Sequence, residues 1–299
     1  MTTVQTNTPQ GAMLMVGCMA IIGLVDNYVK IIAGEAGLWQ FHFLRSCMVC
    51  GALIPLAMMF GWRIKPRNWR GVAVRSVCGA ISMGVYFGAL AVLPIAQVGA
   101  GLFTAPLFVL LFSVLFFGQR IGIWRIVAAV VGFAGVLMVL QLDFSALQVI
   151  AVLPMLAGVT WALTALSTRY LCVGEDTVTL LFWFFFALGV LGAIGLGLMA
   201  AGLGDGVSFV GTGWVEPTAV FWKWTIVQAV FSMIAVSMLT RAYQVGDTSY
   251  ISIFEYSFLI FASFWAFVLF GDSLGVLSMI GIAMIIVSGA VIALRSAEA

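Results

Sequence analysis

Ten apolar runs, each close to the length that crosses a lipid bilayer, follow one another along this 299-residue chain. They lie near residues 11–33, 38–60, 72–93, 96–117, 122–141, 147–169, 178–203, 220–243, 248–270 and 275–294. A membrane helix needs about 20 mostly apolar residues, because the hydrocarbon layer is about 30 Å thick and a helix rises about 1.5 Å per residue. The runs are continuous rather than alternating, which excludes the strands of a membrane barrel. The expected fold is therefore all-α and integral to the membrane, with ten transmembrane helices. Most connections are short and carry a breaker: Gly34 and Gly37, Pro66, Pro94, Gly118, Gly174, Gly246 or Gly271. Only 204–219 is long enough to be a loop of its own. The first run is expected to stay in place as a span, since it is long for a cleaved signal and no Lys or Arg precedes it.

Composition agrees. The chain is 64% hydrophobic and 8% charged, where a soluble domain is about 45–50% apolar and about 25% charged. A soluble enzyme, a nucleic-acid binder and a disordered chain are excluded, and the lipid bilayer is the expected surrounding partner. The five cysteines fall in or beside apolar runs, without the spacing of a disulfide framework. Cys47 and Cys50 form a CxxC inside a span with no second ligand pair nearby, so small buried residues are expected rather than a metal or redox site.

Lys and Arg set the orientation. The 61–71 loop holds Arg63, Lys65, Arg67 and Arg70, with Arg75 just beyond. If that loop is cytoplasmic, the same side receives Arg120, Arg125, Arg169, Arg241 and Arg295, and the other side keeps Lys30 and Lys223. Both termini are then cytoplasmic and 204–219 is extracytoplasmic. Trp39, Trp62, Trp69, Trp124, Trp214, Trp222 and Trp224 stand at span ends, as an interfacial belt would.

The second half echoes the first. At an offset of 153, Ala89 falls on Ala242, Val92 on Val245, Phe108 on Phe261, Phe117-Gly118 on Phe270-Gly271 and Gly122 on Gly275. Phe103 lands on Tyr256 and Thr104 on Ser257. An offset near 138 places the first span on the sixth, and the difference is the length of the 204–219 insertion. Two five-helix units, 1–142 and 143–299, are expected. Because five is odd, the second would enter the membrane in the opposite sense, the inverted repeat common among secondary transporters.

These segments carry a resemblance. Ala89 to Leu140 and Arg241 to Ile292 resemble the first and second copies of the EamA domain of the drug/metabolite transporter superfamily. Lys30 near the end of span 1, Arg45 in span 2 and Trp161-Ala162 in span 6 are similar too. The sequence departs from the family at Gln119 and Asp272, where a Glu is usual. The resemblance implies a carrier of small metabolites in a bacterial-type cytoplasmic (inner) membrane, often an exporter of amino acids. It also implies a cavity lined by spans 1, 3, 4, 6, 8 and 9, with spans 5 and 10 as scaffold.

Ionisable residues inside spans are functional candidates, because lipid penalises an unpaired charge. Asp26 and Lys30 stand four apart on span 1, and span 2 returns with Gln40, His42 and Arg45. Asp26 and Arg45 lie at similar depth, about 10 Å inside the membrane. A salt bridge there could be a permanent tie, an outer gate or a substrate contact. Glu255 is deeper in span 9, with Arg75 and Arg241 as candidate partners for an inner gate or tether. His42 is the single histidine, without companions at metal-ligand spacing, so no metal or cofactor is expected; packing or proton coupling are its two readings. Trp161, beside Thr164 and well inside span 6, joins Tyr86, Gln97, Gln228, Tyr250, Ser252 and Tyr256 as candidate substrate-binding groups. Any single Ser or Thr among them can equally bond back to its own helix. Aromatics with few net charges suit a mostly apolar neutral or zwitterionic solute.

An intramembrane enzyme would show HExxH, GxSG or paired in-span aspartates, and none is present. A channel would want a ring of like groups. ATP-driven transport would want a phosphate-binding loop. A secondary transporter of small molecules remains, with a monomer expected rather than a dimer, Gly84 and Gly88 serving packing within the chain.

Overall fold

The computed structural model describes residues 7–89, 93, 95–141, 152–271 and 275–296. Val92, Pro94, the start of the sixth span at 147, the 142/143 boundary and Asp272 lie outside the described residues. The helices are α1 (Thr8–Asp26), α2 (Val29–Ala33), α3 (Leu38–Phe60), α4 (Trp69–Ala89), α5 (Ile95–Leu102), α6 (Ala105–Phe117), α7 (Ile123–Val139), α8 (Leu153–Tyr170), α9 (Thr177–Leu198), α10 (Ala219–Val245), α11 (Thr248–Ile251), α12 (Ser257–Phe270) and α13 (Val276–Ser296). No strand occurs among the described residues.

Local chemistry explains the ends. Asn7 caps α1 by accepting from the Gln10 amide, and Pro9 sits in the first turn, where its missing N–H costs nothing. α6 and α12 both stop at a left-handed glycine, Gly118 (φ 61°) and Gly271 (φ 71°), the pair matched in the repeat.

Eight helical stretches among the described residues are long and apolar enough to cross a membrane: Thr8–Ala33, Leu38–Phe60, Trp69–Ala89, Gln97–Phe117, Thr177–Leu203, Ala219–Val245, Thr248–Phe270 and Val276–Leu294. Ile123–Val139 is apolar but shorter. α8 is diluted by Thr160, Thr164, Ser167, Thr168 and Arg169, all buried, so its polar face turns inward. The outward surface is the reverse: Met58, Leu115, Phe116 and Ile194 are exposed, as lipid-facing residues would be.

α7 packs along α13, α3 along α9, α4 along α8 and α1 along α10. α1 also meets α12, α8 meets α5 and α6, α4 meets α9, and α10 meets α3. Glycine lets α7 and α13 touch backbone to backbone: a Cβ on Gly135 would lie 2.6 Å from the Gly281 carbonyl oxygen, and one on Gly281 would lie 2.5 Å from that of Gly135. The Gly84/Gly88 pair is not such a seam. A Cβ on Gly84 would meet only the Leu191 side chain, at 3.3 Å, and one on Gly88 would meet nothing within 4 Å.

Each end of the bundle is tied separately. At the arginine-rich end, Glu175 accepts from the backbone amides of Arg67 (2.6 Å) and Asn68 (2.5 Å), Arg125 pairs with Asp247 at 2.7 Å, and the Asn7 amide donates to the Val245 carbonyl at 2.9 Å. At the other end the 204–218 segment folds onto the start of α3. Leu38 N–H donates to the Phe209 carbonyl (2.7 Å), Trp39 Nε1 to that of Val210 (2.8 Å), and Gln40 exchanges two bonds with Val215 (2.7 and 2.8 Å).

Candidate functional site

Three of the apolar stretches are interrupted partway through. α1 gives way to α2 at Asn27–Tyr28, where Asn27 Nδ2 donates to the carbonyls of Gly23 (2.7 Å) and, across to α12, Ala262 (3.2 Å). α5 gives way to α6 at Phe103–Thr104, with Thr104 Oγ1 donating to the Gly101 carbonyl at 2.5 Å and Pro106 opening the next helix. Between α11 and α12 the chain tightens into a 3-10 turn, Ser252–Tyr256. Such breaks inside long helices free backbone groups and mark functional positions. The second and third fall at residues aligned by the 153-residue offset, and the aligned rings, Phe103 and Tyr256, lie tilted to each other with centroids 6.4 Å apart.

The third break carries Glu255. Its carboxylate is buried and accepts from Tyr243 Oη at 2.5 Å and from Trp161 Nε1 at 3.1 and 3.2 Å. This corrects the expected partners. Arg75, fully buried, spends its guanidinium elsewhere: Nε donates to Thr168 Oγ1 (2.8 Å), Nη1 to the Leu180 carbonyl (2.9 Å) and Nη2 to Thr240 Oγ1 (3.0 Å), stapling α4 to α8, α9 and α10. Arg241 is exposed and lines a cavity of about 260 Å³ at the arginine-rich end, with Arg169, Glu175 and Gln244. Neither reaches Glu255, because the spans that carry them present them to that end. Tyr243, missed in the sequence, was detectable only as a polar-tipped ring late in α10, the helix preceding the Glu255 turn.

The first break carries Asp26, which is exposed although Val25 and Asn27 on either side are buried. Gln228 of α10 donates to the Val25 carbonyl at 2.7 Å and lies 3.5 Å from Asp26 Oδ1. Arg45 and Tyr86 are near enough to feel its charge. The expected Asp26–Arg45 salt bridge is not formed: no ion pair within 4.0 Å joins them among the described residues. Arg45 Nη2 donates instead to His42 Nδ1 at 3.1 Å, and its guanidinium lies 4.8 Å from the centre of the Phe41 ring. Lys30, four residues beyond Asp26, holds its ammonium 5.0 Å from the centre of the Phe270 ring.

Trp161 and Tyr86 are partly exposed, and Gln97, Thr164, Gln228, Tyr250, Ser252 and Tyr256 are buried. Thr164 bonds back to the Thr160 carbonyl (2.9 Å), and the Tyr250 ring lies tilted against Phe254, with centroids 5.3 Å apart. So Trp161 joins Glu255 and Tyr243 in one cluster, while Gln228 meets Asp26 at the first break, near enough to Tyr86 for the aspartate's charge to be felt there. All five cysteines are free thiols, and no group of three metal-ligating side chains occurs among the described residues.

Residues 9–141 match the EamA-like transporter family. The chain is 28% identical to a riboflavin transporter of Rhizobium johnstonii over 75% of its own length and 68% of that protein's. It is 26% identical to a pseudopaline exporter of Pseudomonas aeruginosa over 93% of its length and 94% of the exporter's. A crystal structure at 18% identity has the same fold, with a TM-score of 0.78 over 95% of this chain and 98% of the other. The first half of the chain thus matches the EamA-like transporter family, and 93% of its length is similar to a named exporter.

Proposed function

We infer that this protein is a secondary carrier that moves small neutral metabolites, amino acids with large apolar or aromatic side chains among them, outward across a cytoplasmic membrane by alternating access. The observation that carries the reading is the exposure of Asp26. An aspartate about 10 Å inside a bilayer does not face lipid. With Gln228 and Arg45 beside it, it faces a wetted space inside the bundle, and Trp161 and Tyr86 supply aromatic wall. The pairing of helices supports ten spans in two inverted units. Exchanging the first five spans with the second five turns α1–α10 packing into α8–α4, α1–α12 into α8–α6 and α3–α10 into α9–α4, and all six pairs pack. The arginine excess at one end supports cytoplasmic termini and an outward-facing 204–219 loop. The monomer is the working unit, since the exchange is complete within one chain.

Purified protein in liposomes, offered labelled neutral amino acids, riboflavin and a sugar phosphate, tests this. Uptake of a large neutral amino acid is expected. Uptake of the sugar phosphate alone overturns the substrate reading, because a phosphate wants convergent cations. Uptake of riboflavin alone keeps the carrier and removes the amino acid.

A further inference from the structure

The Glu255 turn holds a charge that the chain itself does not balance. The carboxylate is 6% exposed, and its donors, Trp161 Nε1 and Tyr243 Oη, are both neutral. Three arginines of that half of the bundle are committed elsewhere, Arg75 to Thr168, Leu180 and Thr240, Arg125 to Asp247, and Arg169 to the Gln244 carbonyl, while Arg241 is exposed at the arginine-rich end. No Lys or Arg lies within 4.0 Å of Glu255 among the described residues. A buried anion with neutral partners alone is costly, so such a group is retained where a positive charge visits it.

The same turn holds two further polar atoms with nothing to bond. Ser252 Oγ and Tyr256 Oη belong to fully buried side chains and have no hydrogen-bond partner among the described residues. Tyr256 is close enough to Glu255 to feel its charge. Both hydroxyls can accept from an N–H donor. Trp161, whose indole N–H holds the carboxylate, keeps its ring partly exposed, and an aromatic face beside a carboxylate favours a cation.

We propose that Glu255 is the receptor for a protonated nitrogen of the transported solute, with Trp161 as its aromatic wall and Tyr243 as a positioning residue. This rests on the carrier reading and narrows it: the preferred solute bears an ammonium group, which a zwitterionic amino acid has and a sugar does not. Glu255 thereby moves from an expected gate to the substrate site, since Arg75 is held by other groups and Arg241 is exposed at the arginine-rich end.

Two probes that share an indole ring test this, tryptamine with its ammonium and tryptophol with a hydroxyl in its place. Binding to the purified protein in nanodiscs is followed by calorimetry and thermal stabilisation. The wild type is expected to hold tryptamine about tenfold tighter than tryptophol or more, and Glu255→Gln to lose that preference while still binding tryptophol. Tyr243→Phe should weaken tryptamine without abolishing the preference. Equal binding of the two probes by the wild type overturns the proposal, and that comparison stands even where Glu255→Gln does not fold. So does a preference that survives in Glu255→Gln. If excess Na⁺ over K⁺ stabilises the wild type but not Glu255→Gln, and tryptamine has no effect, the turn holds an inorganic cation and the proposal also fails. Neither probe is an amino acid, so absence of amino-acid uptake in liposomes would refute the substrate reading and leave this measurement unaffected.

Discussion

Arg45 Nη2 lies 3.1 Å from His42 Nδ1, one helical turn earlier on α3. A guanidinium only donates, so Nδ1 accepts, and the ring proton sits on Nε2. Nε2 is buried and has no partner among the described residues, while Phe87 leans on the ring at 4.6 Å. His42 is thus the acceptor that orients Arg45, and its second nitrogen is buried beside Phe87.

Glutamine can replace that acceptor and phenylalanine cannot. His42→Phe should leave an Arg45 donor unsatisfied and lower stability by about 1–3 kcal/mol, while His42→Gln should stay within about 1 kcal/mol of the wild type. Thermal unfolding in one detergent ranks the two. If His42→Phe equals or exceeds His42→Gln, the ring contributes packing against Phe87 rather than hydrogen bonding.

Glycine substitutions should separate seams from open positions. At Gly135 and Gly281 an added methyl meets carbonyl oxygen of the facing helix, which cannot rotate away. Gly135→Ala and Gly281→Ala should each cost about 1–3 kcal/mol. Gly197 in α9 has nothing within 4 Å, so Gly197→Ala should stabilise by about 0.5–1 kcal/mol through helix propensity. Unfolding midpoints in parallel decide the order, and a tolerated Gly281→Ala would mean that α7 and α13 separate easily.

Much of this architecture is legible because lipid imposes a length on every span. Gly118 and Gly271 were matched as letters and are matched as left-handed caps, and Phe103 and Tyr256 were matched as letters and lie with ring centroids 6.4 Å apart. The breaks were not legible. The SIFEY segment, Ser252–Tyr256, carries no proline or glycine, and Asn27–Tyr28 reads as ordinary span. The pairing of charges failed for a related reason. Depth along a helix is readable from residue number, but which neighbour a side chain meets is not, so the charge pattern points Glu255 at arginines while its partners are a tyrosine and a tryptophan. Arg75 satisfies three nitrogens on hydroxyls and a carbonyl, a choice that no charge pattern announces.

Sidedness is testable without knowing the solute. On a cysteine-free background, Asn68→Cys should be silent to an impermeant thiol reagent added outside intact cells, and Val207→Cys, at an 89% exposed position, should react. The background matters mainly for Cys47, the exposed native thiol, since burial pushes the Cys172 thiol up to about 11 and keeps it unreactive. Labelling at 68 from outside would invert the whole assignment.

The last prediction concerns Asp26 and Arg45, which form no ion pair here although each feels the other's charge. If closing the outer side brings them together, their attraction belongs to the closed state alone, and removing it shifts the balance toward open. Asp26→Asn abolishes that attraction without changing size. A partly exposed pair contributes about 0–1 kcal/mol and a desolvated one more, and 1.4 kcal/mol is a tenfold change in population. A cysteine at position 86, beside Asp26, should therefore label faster in Asp26→Asn than in the parent. Transport rate should fall more than apparent affinity, because closure is the step impaired. Asp26→Arg combined with Arg45→Asp should recover part of the rate if pairing is what matters. Normal transport by both single variants, with labelling at 86 unchanged, would make the two charges independent linings of the cavity and not a gate.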